Sequence, residues 1–177
     1  APFGKILDAP YGTNSAYAYQ GGFVKYVYDV THYISKNSSC FCLSTVERDV
    51  LITASLLHKL GVIKGYEING ILPSETKLLK LYGLPHLTMG EIYWRLHRMY
   101  VAGEKLDQNI VSRILHCVVS YEKSSVIPKS LEAVILSDMI ETVLKVFNVS
   151  SLIENDQNED EFTAYDGYSE TVYLKRI

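Results

Sequence analysis

Apolar residues at helical spacing, in segment after segment, restrict this chain more than any other feature. From Gly22 to about Lys36 they fall at Phe23, Val27, Val30 and Ile34, one stripe of an amphipathic helix. "STVERD" follows. Ser44 or Thr45 can cap a helix there, and Glu47 stands three residues after Ser44, as a capping box requires. That helix reads through "VLITASLLHKLG", over roughly 45–60, and stops at Gly61. "GYEINGILPS" reads as a loop, "ETKLLKLYG" as a short helix and "LTMGEIYWRLHRMYVAG" as an amphipathic one. Asp107 suits the cap of a helix over about 107–121, and Pro128 the first turn of another over about 129–147. The closing "ETVYLKRI" reads as a strand or a loose end. Strands are scarce and no repeat is visible. The expected class is all-α: a compact multi-helix bundle over residues 21–150, with an extended arm over 1–20 and an acidic tail over 151–177.

The length of 177 residues suits one domain with a full core. No apolar run approaches the roughly 18–20 residues of a membrane span, and "APFGKILDAPYG" lacks the basic start and apolar block of a signal peptide. An intracellular, cytoplasmic protein is expected. Cys40, Cys42 and Cys117 make no disulfide framework, and "CFC" without a second thiol pair makes no zinc site. Buried or half-buried free thiols are expected at that pair. Seven acids and no Lys or Arg lie between Glu154 and Glu170, so the body of the chain is mildly basic and its tail acidic. The segment near 154–161 is expected to be mobile. Tyrosines are abundant, 14 against 5 Phe. The Tyr-rich arm "APYGTNSAYAYQ" can stack on bases, pack on a partner, or fold back on its own domain, which is the default.

Four segments carry a further signal in their order. They are "YQGGFVKYVYDV", "LITASLLHKLGVIKGYE", "GLPHLTMGEI", and "ILHCVVSYEKSS" with the "IPKSLEAVILSDMIE" that follows it. Together they resemble the HD superfamily of metal-dependent phosphohydrolases, most of all the HD domain of bacterial 3′–5′ exoribonucleases, over roughly residues 15–147. The resemblance implies a helical HD-domain fold and a pocket in which Tyr26, His58, Lys59, His86, His116, Tyr121 and Ile140 converge.

The family's chemistry needs ligands around one or two divalent metals, which acidify a water and neutralise phosphate oxygens. This chain keeps three imidazoles, His58, His86 and His116, where the resemblance places metal ligands. Tyr26 stands for the opening histidine, Lys59 for the aspartate of the His-Asp pair, Tyr121 for a later histidine and Ile140 for the final aspartate. An ammonium a few Å from a divalent cation is repulsive by several kcal/mol, even at an effective dielectric near 20. Among nearby acids, Asp29 shares a helix face with Tyr26, Asp138 points away from Ile140, and Glu122 needs a local shift to reach the site. His32 and His97 match no family position and are expected at the surface.

The resemblance thus implies a degenerate, catalytically inactive HD domain with no cofactor and no dinuclear centre, serving as a binding or structural module. The expected partner is a protein, then nucleic acid, or a nucleotide phosphate held by Lys59 and Lys25. The alternative is a divergent phosphohydrolase with one divalent transition metal on His58, His86 and His116, acting on nucleotides or RNA ends. A third reading is a plain helical interaction protein. Lys59 is expected to turn outward along the helix to water, or else to stay in the pocket and pair with an acid such as Asp29.

Overall fold

The computed structural model describes residues 7–12, 17–68, 73–122, 126–167 and 170–175. It is mostly helical, with five long helices packed together. In chain order these are α1 (Gly22–Asn37), α2 (Thr45–Leu57), α4 (Lys77–Val101), α5 (Gln108–Ser120) and α6 (Leu131–Asn155). A single turn, α3 (Val62–Gly65), lies between α2 and a short antiparallel pair, β1 (Tyr66–Ile68) with β2 (Pro73–Glu75). The pairing of Tyr66 with Glu75 and of Ile68 with Pro73 closes the segment expected as a plain loop.

Local chemistry explains where the helices start. The Ser44 hydroxyl accepts from Glu47 N at 3.3 Å while the Glu47 carboxylate accepts from Ser44 N at 2.9 Å, the expected capping box of α2. Asp107 accepts from Asn109 N at 2.8 Å and from Ile110 N at 3.3 Å, capping α5. For α6 the expected start is corrected: Ser130 is the cap and Pro128 lies outside the helix. The α2 helix ends at Leu57, three residues earlier than expected, and tightens into turns whose bonds run from Leu60 N to Leu57 O and from Val62 N to Lys59 O. In α4 the two expected helices form one run, broken at Gly83, whose φ of 71° only glycine adopts freely, with Pro85 just beyond.

The core lies where α1, α2, α5 and α6 meet, with Val30, Ile34, Val50, Leu51, Ala54 and Leu136 essentially inaccessible to solvent. The described part of the arm belongs to this core and does not extend from it. Ala9, Tyr11 and Tyr17 are buried, Tyr11 N donates to Tyr17 O at 3.1 Å, and Phe23 N donates to Ala9 O at 3.1 Å. "GG" makes that return possible. Gly21 turns the chain at φ 82°, and a Cβ on Gly22 would stand 1.9 Å from Tyr17 O. Across the bundle, Arg113 of α5 donates to the buried Glu132 carboxylate of α6 at 2.7 Å.

Helix α6 continues to Asn155, through the expected boundary at 150. The acidic segment beyond it is tied down by specific bonds. Asp156 accepts from Asn158 N at 2.9 Å and from Ala164 N at 2.7 Å, and pairs with Lys175 at 2.9 Å. Bridges between Phe162 and Leu174 and between Asp166 and Thr171 fold the tail on itself. Contrary to expectation, Cys40 and Cys42 are exposed; Cys117 is buried. Among the described residues no helix is long and apolar enough to cross a membrane.

Candidate functional site

Helix α1, the turns that follow α2 and α5, and the arm bring their side chains to a common point. In α1 the buried stripe Phe23, Tyr26, Val30, Ile34 turns Tyr26 inward, with no exposed surface. The turn after α2 carries His58, fully buried, and Lys59, 8% exposed. Tyr121 and Glu122 follow the last turn of α5, and the arm supplies Tyr11. The Tyr11 ring stacks on Tyr26 with centroids 4.0 Å apart and planes at 17°. His58 stands 5.4 Å from Tyr26 and meets Tyr121 edge-on at 5.2 Å.

Hydrogen bonding gives this cluster a direction. The Ser55 carbonyl can only accept, so His58 Nδ1, 2.8 Å away, carries the ring proton. Nε2 is therefore the acceptor, and the Tyr26 hydroxyl donates to it at 2.7 Å. Lys59 Nζ donates to the Tyr11 hydroxyl at 2.6 Å, and the Tyr11 ring stacks on that of Tyr26. One bond thus runs from the ammonium to the Tyr11 phenol, and a second run leads from the Tyr26 phenol to a neutral imidazole and on to a backbone carbonyl. Burial, with Lys59 next door, pushes the His58 pKa down to about 3, so the ring stays neutral. Burial also raises the Tyr26 phenol, with Tyr11 adding to the effect, and raises Tyr121, with Glu122 adding. Tyr121 donates to Glu122 at 2.6 Å.

Lys59 does not turn outward. Its ammonium lies 4.7 Å from the Tyr11 ring centre, 5.2 Å from that of Tyr121 and 5.8 Å from that of Tyr26. Its anionic neighbour is Glu122 at 3.9 Å, and not Asp29. Asp29 is engaged elsewhere, bound by Lys25 at 2.5 Å and by the Tyr17 hydroxyl at 3.0 Å. The outward path fails because the turn after α2 aims Lys59 beneath the arm, and the three aromatic faces replace the water it would seek. Lys25, the other candidate phosphate ligand, is half-exposed on α1 and occupied by Asp29.

Of the seven residues expected to converge, Tyr26, His58, Lys59 and Tyr121 are in mutual contact, and Ile140 packs in the same core. His86 and His116 stand apart. His86 is exposed and lines a groove of about 770 Å³ with Ile63, Lys64, Tyr82, Glu91 and Trp94. His116 accepts from Lys129 N at 2.8 Å and so ties the loop before α6 to α5. His32 and His97 are exposed, as expected.

A divalent metal does not fit this site. Both nitrogens of His58 are already bonded, the neighbouring side chain is a cation, and the one nearby carboxylate, Glu122, serves Tyr121 and Lys59. Among the described residues no group of three or more His, Cys, Asp or Glu side chains is arranged to hold a metal ion. His58, His86 and His116 are not gathered into such a group. The arrangement can instead hold an ammonium group on aromatic faces, and it does so with the protein's own lysine. Sequence reasoning missed Tyr11 as a member of the site; the glycine pair that lets the arm return was its signal. No protein-family model matches the chain, and neither the curated proteins nor the solved structures give a match.

Proposed function

We propose that this protein is a non-catalytic binding module, working inside the cell, on a helical scaffold of degenerate HD-domain type. The observation that carries the reading is the enclosure of Lys59 by Tyr11, Tyr26 and Tyr121, beside Glu122, where the resemblance puts the aspartate of a metal pair. A fixed ammonium neutralises that position without a metal, and the arm closes it from solvent. No activated nucleophile follows from such a cluster: its imidazole is neutral, doubly bonded and buried. The preferred partner is a protein, because the folded arm and tail leave the outer helical faces as the available surface.

The test is an activity assay with manganese(II), nickel(II) or magnesium(II) on bis(p-nitrophenyl) phosphate and on a short single-stranded RNA. The reading expects the same background rate from wild type and from His58→Ala. Metal-dependent turnover that His58→Ala abolishes would overturn it and restore the phosphohydrolase.

A further inference from the structure

Among the described residues, helix α4 carries more exposed large apolar side chains than any other helix. Tyr82, Trp94 and Tyr100 are 57%, 54% and 72% exposed. The stretch Ile92–Val101 contains Trp, two Tyr, two Arg and Met, with no Lys, Glu, Asp, Ser or Ala. Such enrichment and depletion distinguish interface cores from ordinary surface. Beneath this face lies the groove of about 770 Å³, walled by Ile63, Leu78, Leu87 and Trp94. Gly90 also lines it.

Gly90 is informative. It lies inside a helix, where glycine costs about 0.5–1 kcal/mol relative to alanine. A Cβ there would meet nothing within 4 Å, so no neighbour among the described residues requires the missing side chain. The open space above it is part of the groove.

Charge selects the occupant. Residues 77–101 carry four bases, Lys77, Lys80, Arg95 and Arg98, against one acid, Glu91, in a chain whose net charge is −3. Glu91 is buried and clamped by Lys64 and by Arg95. That pairing holds its carboxyl low: burial, which alone would raise it, is outweighed by the two cations. Among the described residues, the exposed cations of α4 outside that pairing lie toward the two ends of the helix, Lys77 and Lys80 near its start and Arg98, 4.9 Å from the centre of the Trp94 ring, near its end. Between them the groove is lined by Ile63, Leu78, Leu87 and Trp94, together with the mutually paired Lys64, Glu91 and Arg95. A peptide can lay apolar side chains there and place acids at its ends.

We infer that the outer face of α4, with its groove at Gly90 and Trp94, docks an acidic amphipathic segment of a partner protein in the helix-in-groove manner. The inference does not depend on the reading of Lys59, which lies under the arm and outside this groove.

The experiment is selection of a displayed library of random short peptides on the full chain, followed by fluorescence polarisation of the enriched peptides. Each is measured on wild type, Trp94→Ala, Arg98→Glu and Gly90→Phe, with circular dichroism to show that each variant is folded. A labelled oligothymidylate is measured in parallel. Enriched peptides are expected to be acidic with apolar residues at helical spacing, and to lose about tenfold or more in affinity on each substitution. Peptides that are neutral or basic, peptides that bind the three variants as well as wild type, or a selection without any Trp94-dependent peptide would overturn the inference. Trp94-dependent binding of oligothymidylate tighter than that of any peptide would overturn it in favour of nucleic acid.

Discussion

Acid should weaken this fold well above the range where carboxylates titrate, because of one buried ring. His58 is fully buried, with Nδ1 donating to Ser55 O and Nε2 accepting from Tyr26. The side chains facing it are Tyr26, Tyr121 and Lys59, with Tyr11 and Glu122 behind them. A proton on Nε2 would face the Tyr26 hydroxyl and the Lys59 ammonium. Burial first, and Lys59 second, push the folded pKa down to about 3, against about 6.5 in the unfolded chain. The sign follows. A depressed folded value means the unfolded state binds the proton more tightly, so this contribution to stability is complete above about pH 6.5 and lost as pH falls toward 3. Between pH 7 and 5 the folded ring stays neutral and only the unfolded value matters. The loss is then about 1.5 units at 1.36 kcal/mol each, or roughly 2 kcal/mol. Urea denaturation at pH 7, 6 and 5 reads it directly, with His58→Gln as the control that keeps every other titrating group. The expected result is a fall of about 2 kcal/mol in wild type that is absent from His58→Gln. Equal slopes in the two proteins would refute the argument.

Tyr26→Phe removes the donor to a buried imidazole nitrogen and should cost about 1–3 kcal/mol by denaturant titration, with the His58 ring signals shifted in the NMR spectrum. Gly22→Ala puts a Cβ 1.9 Å from Tyr17 O, so the arm must move; a loss of about 1–3 kcal/mol and faster proteolysis within the arm are expected. Arg113→Met leaves the buried Glu132 carboxylate without its guanidinium and should lower the urea midpoint at neutral pH, with the loss shrinking as acid protonates Glu132.

Much of the helical order was legible because it rests on local chemistry. The Ser44–Glu47 box and the Asp107 cap stand where "STVERD" and "DQN" put them, and the stripe Phe23, Val30, Ile34 faces the core. Pro128 misled because proline can precede a cap as well as follow one; the Ser130 hydroxyl, free to accept from Ala133 N, decided the start of α6. The site was half legible. The resemblance put Tyr26, His58 and Tyr121 in one pocket, where the structure has them in contact through His58. It could not show that α4, bent at Gly83 and Pro85, carries His86 to an exposed face, nor that His116 is spent on Lys129 N. Lys59 was misread because side-chain length and position at a helix end argue for escape to water. What retains it is Tyr11, 48 residues earlier in sequence, and a contact of that range leaves no local pattern.

The most direct test of the account is an NMR titration of the full chain with manganese(II), following the His58 ring and the Lys59 ε-methylene signals. If the chain's own ammonium fills this position, the Lys59 methylene resonates upfield of a solvated lysine, because the rings of Tyr11, Tyr26 and Tyr121 surround it. Neither signal then broadens as the metal is added. A Lys59 methylene at the solvated position, or selective broadening of the His58 and Lys59 signals by manganese(II), would contradict the account.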